Sequence, residues 1–235
     1  MKLAVCAVFG LILVAGPAVA ADPVTELKTD EQKRSYALGL DLGSYFKSLE
    51  TNLNLDAIHQ GITDSYTDKK ALLTPEEATE IQKQFAIDQQ KKKAEKLKAI
   101  KEANEDAAAA FLKKNKKEKG VKVTASGLQY KVIKEGKGEK PASTDTVKVH
   151  YKGTLLDGSE FDSSYKRNKP ATFRVDQVIP GWTEALQLMN PGSTYSLYLP
   201  PELAYGDRGA PPAIEPGSLL IFEVELVEIV KSGDK

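Results

Sequence analysis

The stretch QVIPGWTEAL, residues 177–186, carries the only tryptophan of a 235-residue chain. A Pro-Gly turn signal precedes the indole. Trp182, Ala185, Leu186 and Met189 then fall on one side of a short helix expected over 181–189. Around this helix the apolar period is two. Strands are expected over 127–134, 146–154, 171–175, 194–199 and 219–229. TVKVHYKGTL (146–155) and LLIFEVELVEI (219–229) alternate as a sheet with one covered face does. Several antiparallel strands with one short helix make an α+β unit, the helix lying on one sheet face. A lone tryptophan at that place either fills the core or lines a space left for something else.

Upstream the texture changes twice. Residues 1–20, MKLAVCAVFGLILVAGPAVA, have the basic start, apolar run and small-residue end of a cleavable secretory signal, a retained membrane anchor being the rival reading. Cleavage after Ala20 removes Cys6, the single cysteine, which excludes disulfides, cysteine nucleophiles and thiolate metal sites. Residues 21–73 form a helical segment. Its first helix, about 30–50, spaces Leu38, Leu42, Tyr45, Phe46 and Leu49 by three and four, with Gly39 and Gly43 suited to close approach of another helix. A shorter helix follows over 55–66. Two short helices make a thin core, so a second copy of the segment is the expected partner.

From Thr74 a capping box, Thr74-Pro75-Glu76-Glu77, opens a long helix that meets no Gly or Pro before Gly120, read as its stop. Some 45 residues at ~1.5 Å each make a rod of roughly 65 Å. Its middle, residues 88–96, is polar on every face, the pattern of a spacer between domains. The domain reading is therefore a signal over 1–20, a helical segment over 21–73, a connecting helix over 74–120 and an α+β domain over 121–235.

Familiar chemistry is poorly supplied. The chain has two histidines, His59 and His150, and neither sits in a metal-ligand spacing, so no metal site is expected. There is no GxSxG elbow and no phosphate-binding glycine motif, and with a formal net charge of zero no overall field recruits nucleic acid. What the C-terminal part does supply is apolar and aromatic residues beside loops: Tyr151, Phe161, Val178, Ile179, Tyr205 and Phe222. Asp162, next to Phe161, needs a partner in such surroundings, and Arg167 is the candidate.

VHYKGTLLDGSEFDSSYKRNKPATF (149–173), VIPGWTEALQLMNPGSTYSLYLPPELAYGDRG (178–209) and LLIFEVELVEI (219–229) resemble, in order, the FK506-binding peptidyl-prolyl isomerases. With the helical segment and long helix in front, the layout resembles the bacterial macrophage infectivity potentiator type. YALGLDLGSYF (36–46) fits that type as well.

The resemblance implies an FK506-binding fold, an antiparallel twisted sheet wrapped on one short helix. An all-α segment would join two chains as a homodimer. Trp182 would form the floor of a proline pocket walled by Tyr151, Phe161, Val178, Ile179, Tyr205 and Phe222, with Phe173 and Ile214 contributing. The Ile179 N–H and the Tyr205 hydroxyl would donate to substrate carbonyls, and Asp162 would sit on the rim by the reacting amide, Arg167 beside it. No cofactor is implied. The implied partners are exported proteins with X–Pro bonds, and macrolides of the FK506 and rapamycin type as inhibitors. The implied place is the periplasm, with attachment to the outer membrane left open. Ala171 and Ala210 depart from the pattern, standing where an aromatic residue and a histidine are common. The competing reading is a holdase chaperone or interaction module with little turnover.

Overall fold

The computed structural model describes residues 25–230, and the signal-like segment 1–20 lies outside them. The chain divides into two compact units between Glu77 and Ala78. In the first, α1 (Asp30–Ser48) opens on a capping box in which the Thr29 hydroxyl accepts from the Gln32 N–H and the Gln32 side chain accepts from the Thr29 N–H. The second helix, α2 (Leu55–Tyr66), is capped by the Asn54 carboxamide oxygen, which accepts from the Ala57 N–H at 2.9 Å. No residue of α1 is buried. Tyr36, Leu38, Leu40, Leu42 and Tyr45 are 45–66 % exposed. A Cβ added at Gly39 or Gly43 meets nothing within 4 Å, so the close helix approach expected there is not made within the described chain.

The long helix, α3 (Pro75–Asn115), starts as expected: the Thr74 N–H donates to Glu77 Oε2 and the Glu77 N–H to Thr74 Oγ1. The polar middle is exposed almost throughout. Its end corrects the sequence reading. The helix stops at Asn115, five residues before Gly120, because tertiary groups take over its last turn. Asn115 is buried and its side chain donates to Gln129 Oε1 at 3.0 Å, while Gln129 Nε2 donates to the Leu112 carbonyl at 3.0 Å. That carbonyl also accepts from the Lys116 N–H at 3.1 Å, so Gln129 adds a second bond at the helix end. Gly120, with φ +86°, serves the turn that follows instead.

Seven strands come next: β1 (Val121–Val123), β2 (Gln129–Lys134), β3 (Thr146–Thr154), β4 (Glu160–Ser163), β5 (Ala171–Arg174), β6 (Thr194–Leu199) and β7 (Leu220–Val230). Between β5 and β6 lies α4 (Pro180–Leu186). The sheet is antiparallel, in the order β1-β2-β6-β7-β3-β4, with β5 on the same side of β3 as β4. In β7 the alternation places Leu220, Phe222, Val224 and Leu226 inside, until a register shift opposite Lys148 and Val149. α4 is shorter than its apolar pattern. Its axis ends at Leu186, and tight turns carry Met189 back to full burial. Trp182, Ala185 and Leu186 join Val147, Val149, Leu197, Leu199 and Val224 in one core, so the helix covers the inner sheet face.

Candidate active site

β3 is central to the site. Its first half, Thr146–Val149, pairs with β5, and its last residues, Lys152–Thr154, pair with β4. Tyr151 falls in the gap between them. Ser164, fully buried, fills that gap: its hydroxyl accepts from the Tyr151 N–H at 2.8 Å, and its N–H donates to the Tyr151 carbonyl at 2.9 Å. The edge splits here, and side chains from both short strands converge on one place.

That place is a cavity of about 450 Å3, within the ordinary range for small-ligand sites. Trp182, 4 % exposed, forms its aromatic base. Three rings stand edge-on to the indole: Tyr151 at 5.2 Å and 87°, Phe173 at 5.8 Å and 88°, and Phe222 at 5.2 Å and 80°. Phe161 stands perpendicular to Phe222 at 5.5 Å. These are the edge-to-face arrangements that aromatic quadrupoles prefer. Gly153 makes room for them, since a Cβ there would lie 2.6 Å from Phe161 Cζ and 2.8 Å from Phe222 Cε1.

Nine of the eleven residues expected at the site line this cavity: Tyr151, Phe161, Asp162, Phe173, Val178, Ile179, Trp182, Tyr205 and Phe222. Arg167 stands outside the lining and ties the rim, donating to Asp162 Oδ1 at 2.5 Å and to the Tyr151 hydroxyl at 2.7 Å. Ile214 does not line it. This residue is 4 % exposed, bridged to Ala210 across a loop, and packs in the core. Ala171 and Ala210 likewise pack against the core and lie outside the lining. Gln177 does line it and was missed. Nothing in its type or spacing marks it, although it immediately precedes Val178 and Ile179.

The polar groups are few and placed. Ile179 caps α4, and its carbonyl accepts from the N–H groups of Trp182 and Thr183. No acceptor among the described residues engages its own N–H. The Tyr205 hydroxyl likewise has no partner among the described residues, and Tyr205 is 42 % exposed. Asp162 accepts from the Tyr151 hydroxyl at 2.5 Å besides Arg167. Partial burial works against its charge, but the bonds from Tyr151 and Arg167 outweigh it and hold the carboxyl below its usual value. Burial first, and then the bond to Asp162, push the Tyr151 hydroxyl up. At neutral pH the rim therefore carries a fixed carboxylate and a neutral phenol.

A pH dependence follows. Because the folded pKa of Asp162 is depressed, its ionised form adds stability that is complete above the unfolded value of about 3.9. That contribution is lost as pH falls through the lower folded value. The stability gap between the native chain and Asp162→Asn, read from urea unfolding, is expected to stay constant from about pH 7 to 5 and close only below about 4. A gap already closing near pH 6 contradicts the depressed carboxylate. Among the described residues no cluster of histidine, cysteine, aspartate and glutamate could hold a metal ion.

Comparison with known proteins agrees with this geometry. Residues 137–227 match the family model described as FKBP-type peptidyl-prolyl cis-trans isomerase, and residues 31–132 match the domain amino-terminal to it. Outer membrane protein MIP of Legionella longbeachae is 44 % identical over 233 residues, covering 99 % of each chain. The FKBP-type peptidyl-prolyl cis-trans isomerase FkpA of Escherichia coli K12 is 44 % identical over 224 residues, 92 % of this chain and 82 % of that one. The crystal structure of FkpA from Escherichia coli superposes with a TM-score of 0.71 at 42 % identity, covering 87 % of this chain and 98 % of that one. The chain thus belongs to the FKBP-type peptidyl-prolyl cis-trans isomerases, and its reaction is rotation about X–Pro peptide bonds.

Proposed function

We propose that the protein is an exported folding catalyst that takes the proline ring of a client into the aromatic cavity over Trp182. The observation that carries this is the cavity itself: a floor and walls of aromatic edges, with a few polar groups on the rim and no chemical nucleophile. X–Pro bonds interconvert unaided in tens to hundreds of seconds, over a barrier of ~18–20 kcal/mol. No bond breaks, so no nucleophile is needed. A planar amide is held by charge-separated resonance, which water favours; a twisted amide has lost it. Moving the group into a dry aromatic box raises the planar form more than the twisted one, which is preferential binding of the transition state. A barrier lower by about 5 kcal/mol speeds rotation by roughly four powers of ten.

The rim groups orient the peptide. The Ile179 N–H and the Tyr205 hydroxyl donate to carbonyls flanking the proline. Asp162, fixed by Tyr151 and Arg167, places negative charge near the carbonyl carbon as it twists. Arg167 acts through Asp162 and Tyr151.

The same reading extends to the whole chain. Residues 1–20 direct export to the periplasm, and one relative carries the name outer membrane protein, which keeps attachment to that membrane in view. Residues 21–73 join two copies through the exposed apolar residues of α1, residues 74–120 connect, and 121–235 isomerise. That apolar surface also supports a chaperone activity alongside turnover.

The test uses the only tryptophan. The mature chain is expected to accelerate isomerisation of a prolyl tetrapeptide. FK506 is expected to change Trp182 fluorescence and inhibit turnover over the same concentration range. Turnover that persists while the fluorescence saturates separates the cavity from the reaction.

A further inference from the structure

The loop that carries Tyr205 out of the cavity is closed on itself and seated on α3. The Gly217 N–H donates to the Gly206 carbonyl at 3.0 Å, so residues 206–217 form a loop whose neck lies immediately after Tyr205. Inside it the Gly209 N–H returns to the Tyr205 carbonyl at 3.2 Å, and Ala210 and Ile214 bridge.

Three contacts tie that neck to the helix. Asn104 Nδ2 donates to the Pro216 carbonyl at 2.9 Å, a partly buried bond. Lys101 Nζ lies 2.7 Å from Asp207 Oδ2, and Glu105 steadies the ammonium at 3.6 Å. Gly217 meets the helix directly: a Cβ there would stand 2.7 Å from the Lys101 carbonyl oxygen. The ion pair is lopsided, with Lys101 30 % exposed and Asp207 77 %. The helix side is thus a fixed post, and the loop side is what it holds. A spacer needs none of this.

We infer that Lys101 and Asn104 are positioning residues for catalysis: from α3 they fix the neck of the 206–217 loop and so set where the Tyr205 hydroxyl meets the substrate carbonyl. Neither touches substrate. The inference rests on the site reading given above, in which Tyr205 donates to the peptide. The connecting helix then belongs to the isomerase apparatus over its second half.

The test is a double-mutant cycle on the full chain, with kcat and KM measured separately on a prolyl tetrapeptide. Lys101→Ala/Asn104→Ala is expected to lower kcat/KM by roughly 5-fold, a usual size for coupling between groups in one network. In a Tyr205→Phe background the same pair is expected to cost almost nothing further, because the hydroxyl they position is gone. The exchanged pair Lys101→Glu/Asp207→Lys should recover most of the activity lost by Lys101→Glu alone, and so shows that the effect is specific to the contact. Hydrogen exchange of residues 205–217 should rise in the alanine pair. An equal loss in both backgrounds, or no loss in the native one, overturns the inference. A Tyr205→Phe chain as active as the native one overturns it too. Absence of turnover in the native chain would remove the site reading first, and this inference with it.

Discussion

Trp182→Leu is expected to lower kcat/KM on a prolyl tetrapeptide by roughly 100-fold, equivalent to about 3 kcal/mol of the barrier reduction. Three rings stand edge-on to this indole at 5.2–5.8 Å. Each such pair contributes about 0.5–1.5 kcal/mol beyond its buried area. Leucine fills part of the volume but presents no flat face to the proline ring, and it lets water reach the floor. Stability should also fall, by about 2–3 kcal/mol, less than the ~3–5 kcal/mol typical of truncating a buried Trp to alanine. Turnover is therefore to be normalised to the folded fraction at each temperature. Suppression of client aggregation, measured on the same sample, should survive. Loss of both together contradicts a chaperone surface separate from the cavity.

The second large effect is at a residue with no side chain. Gly153→Ala puts a methyl group where Phe161 Cζ, at 2.6 Å, and Phe222 Cε1, at 2.8 Å, already lie. The backbone of β3 accepts alanine, so the conflict is one of volume. Phe222 is 4 % exposed and locked between strands, whereas Phe161 is half-buried on the cavity wall. Phe161 is the ring that must yield, and the open cavity is where it can go. Overpacking of this kind costs about 1–3 kcal/mol. The expectation is a modest fall in the urea midpoint with a drop in kcat/KM of more than about 10-fold, since a shift of one wall misplaces the peptide. Gly153→Ala/Phe161→Leu should regain part of the stability by removing the clash. If Gly153→Ala leaves both quantities unchanged, Phe161 is not held where the wall requires it.

Most of the fold could be read from the chain because local signals and tertiary demands agree there. β3, β6 and β7 alternate cleanly, and the capping box at Thr74 marks the start of α3 without ambiguity. The aromatic residues of the cavity were recognisable by type and by family pattern, and the Asp162–Arg167 pair by the need of a half-buried carboxylate for a partner. Five features were not legible, each for a physical reason. β4 is four residues long within an Asp- and Ser-rich run, so its turn chemistry hides a strand that exists only through pairing with β3. β1 has three residues, too few for its alternation to stand out. The end of α3 is decided by Gln129, fourteen positions further on, not by the lysines around it. Ser164 reads as one more polar turn residue, yet it bridges the gap in the sheet at Tyr151. The second half of α3 reads as solvated because Lys101 and Asn104 are polar, and their loop partners lie about a hundred residues later.

The way β4 and β5 share one side of β3 has a further effect. Neither sheet margin offers a long run of unpaired backbone, since one ends in the three residues of β1 and the other is divided between two four-residue strands. Unfolded polypeptides readily extend any open margin, adding themselves as extra strands and seeding aggregates. A protein that acts on X–Pro bonds of other chains is exposed to that hazard more than most. Its truncated borders leave a visiting segment little ladder to climb, so it can handle such chains without becoming their template.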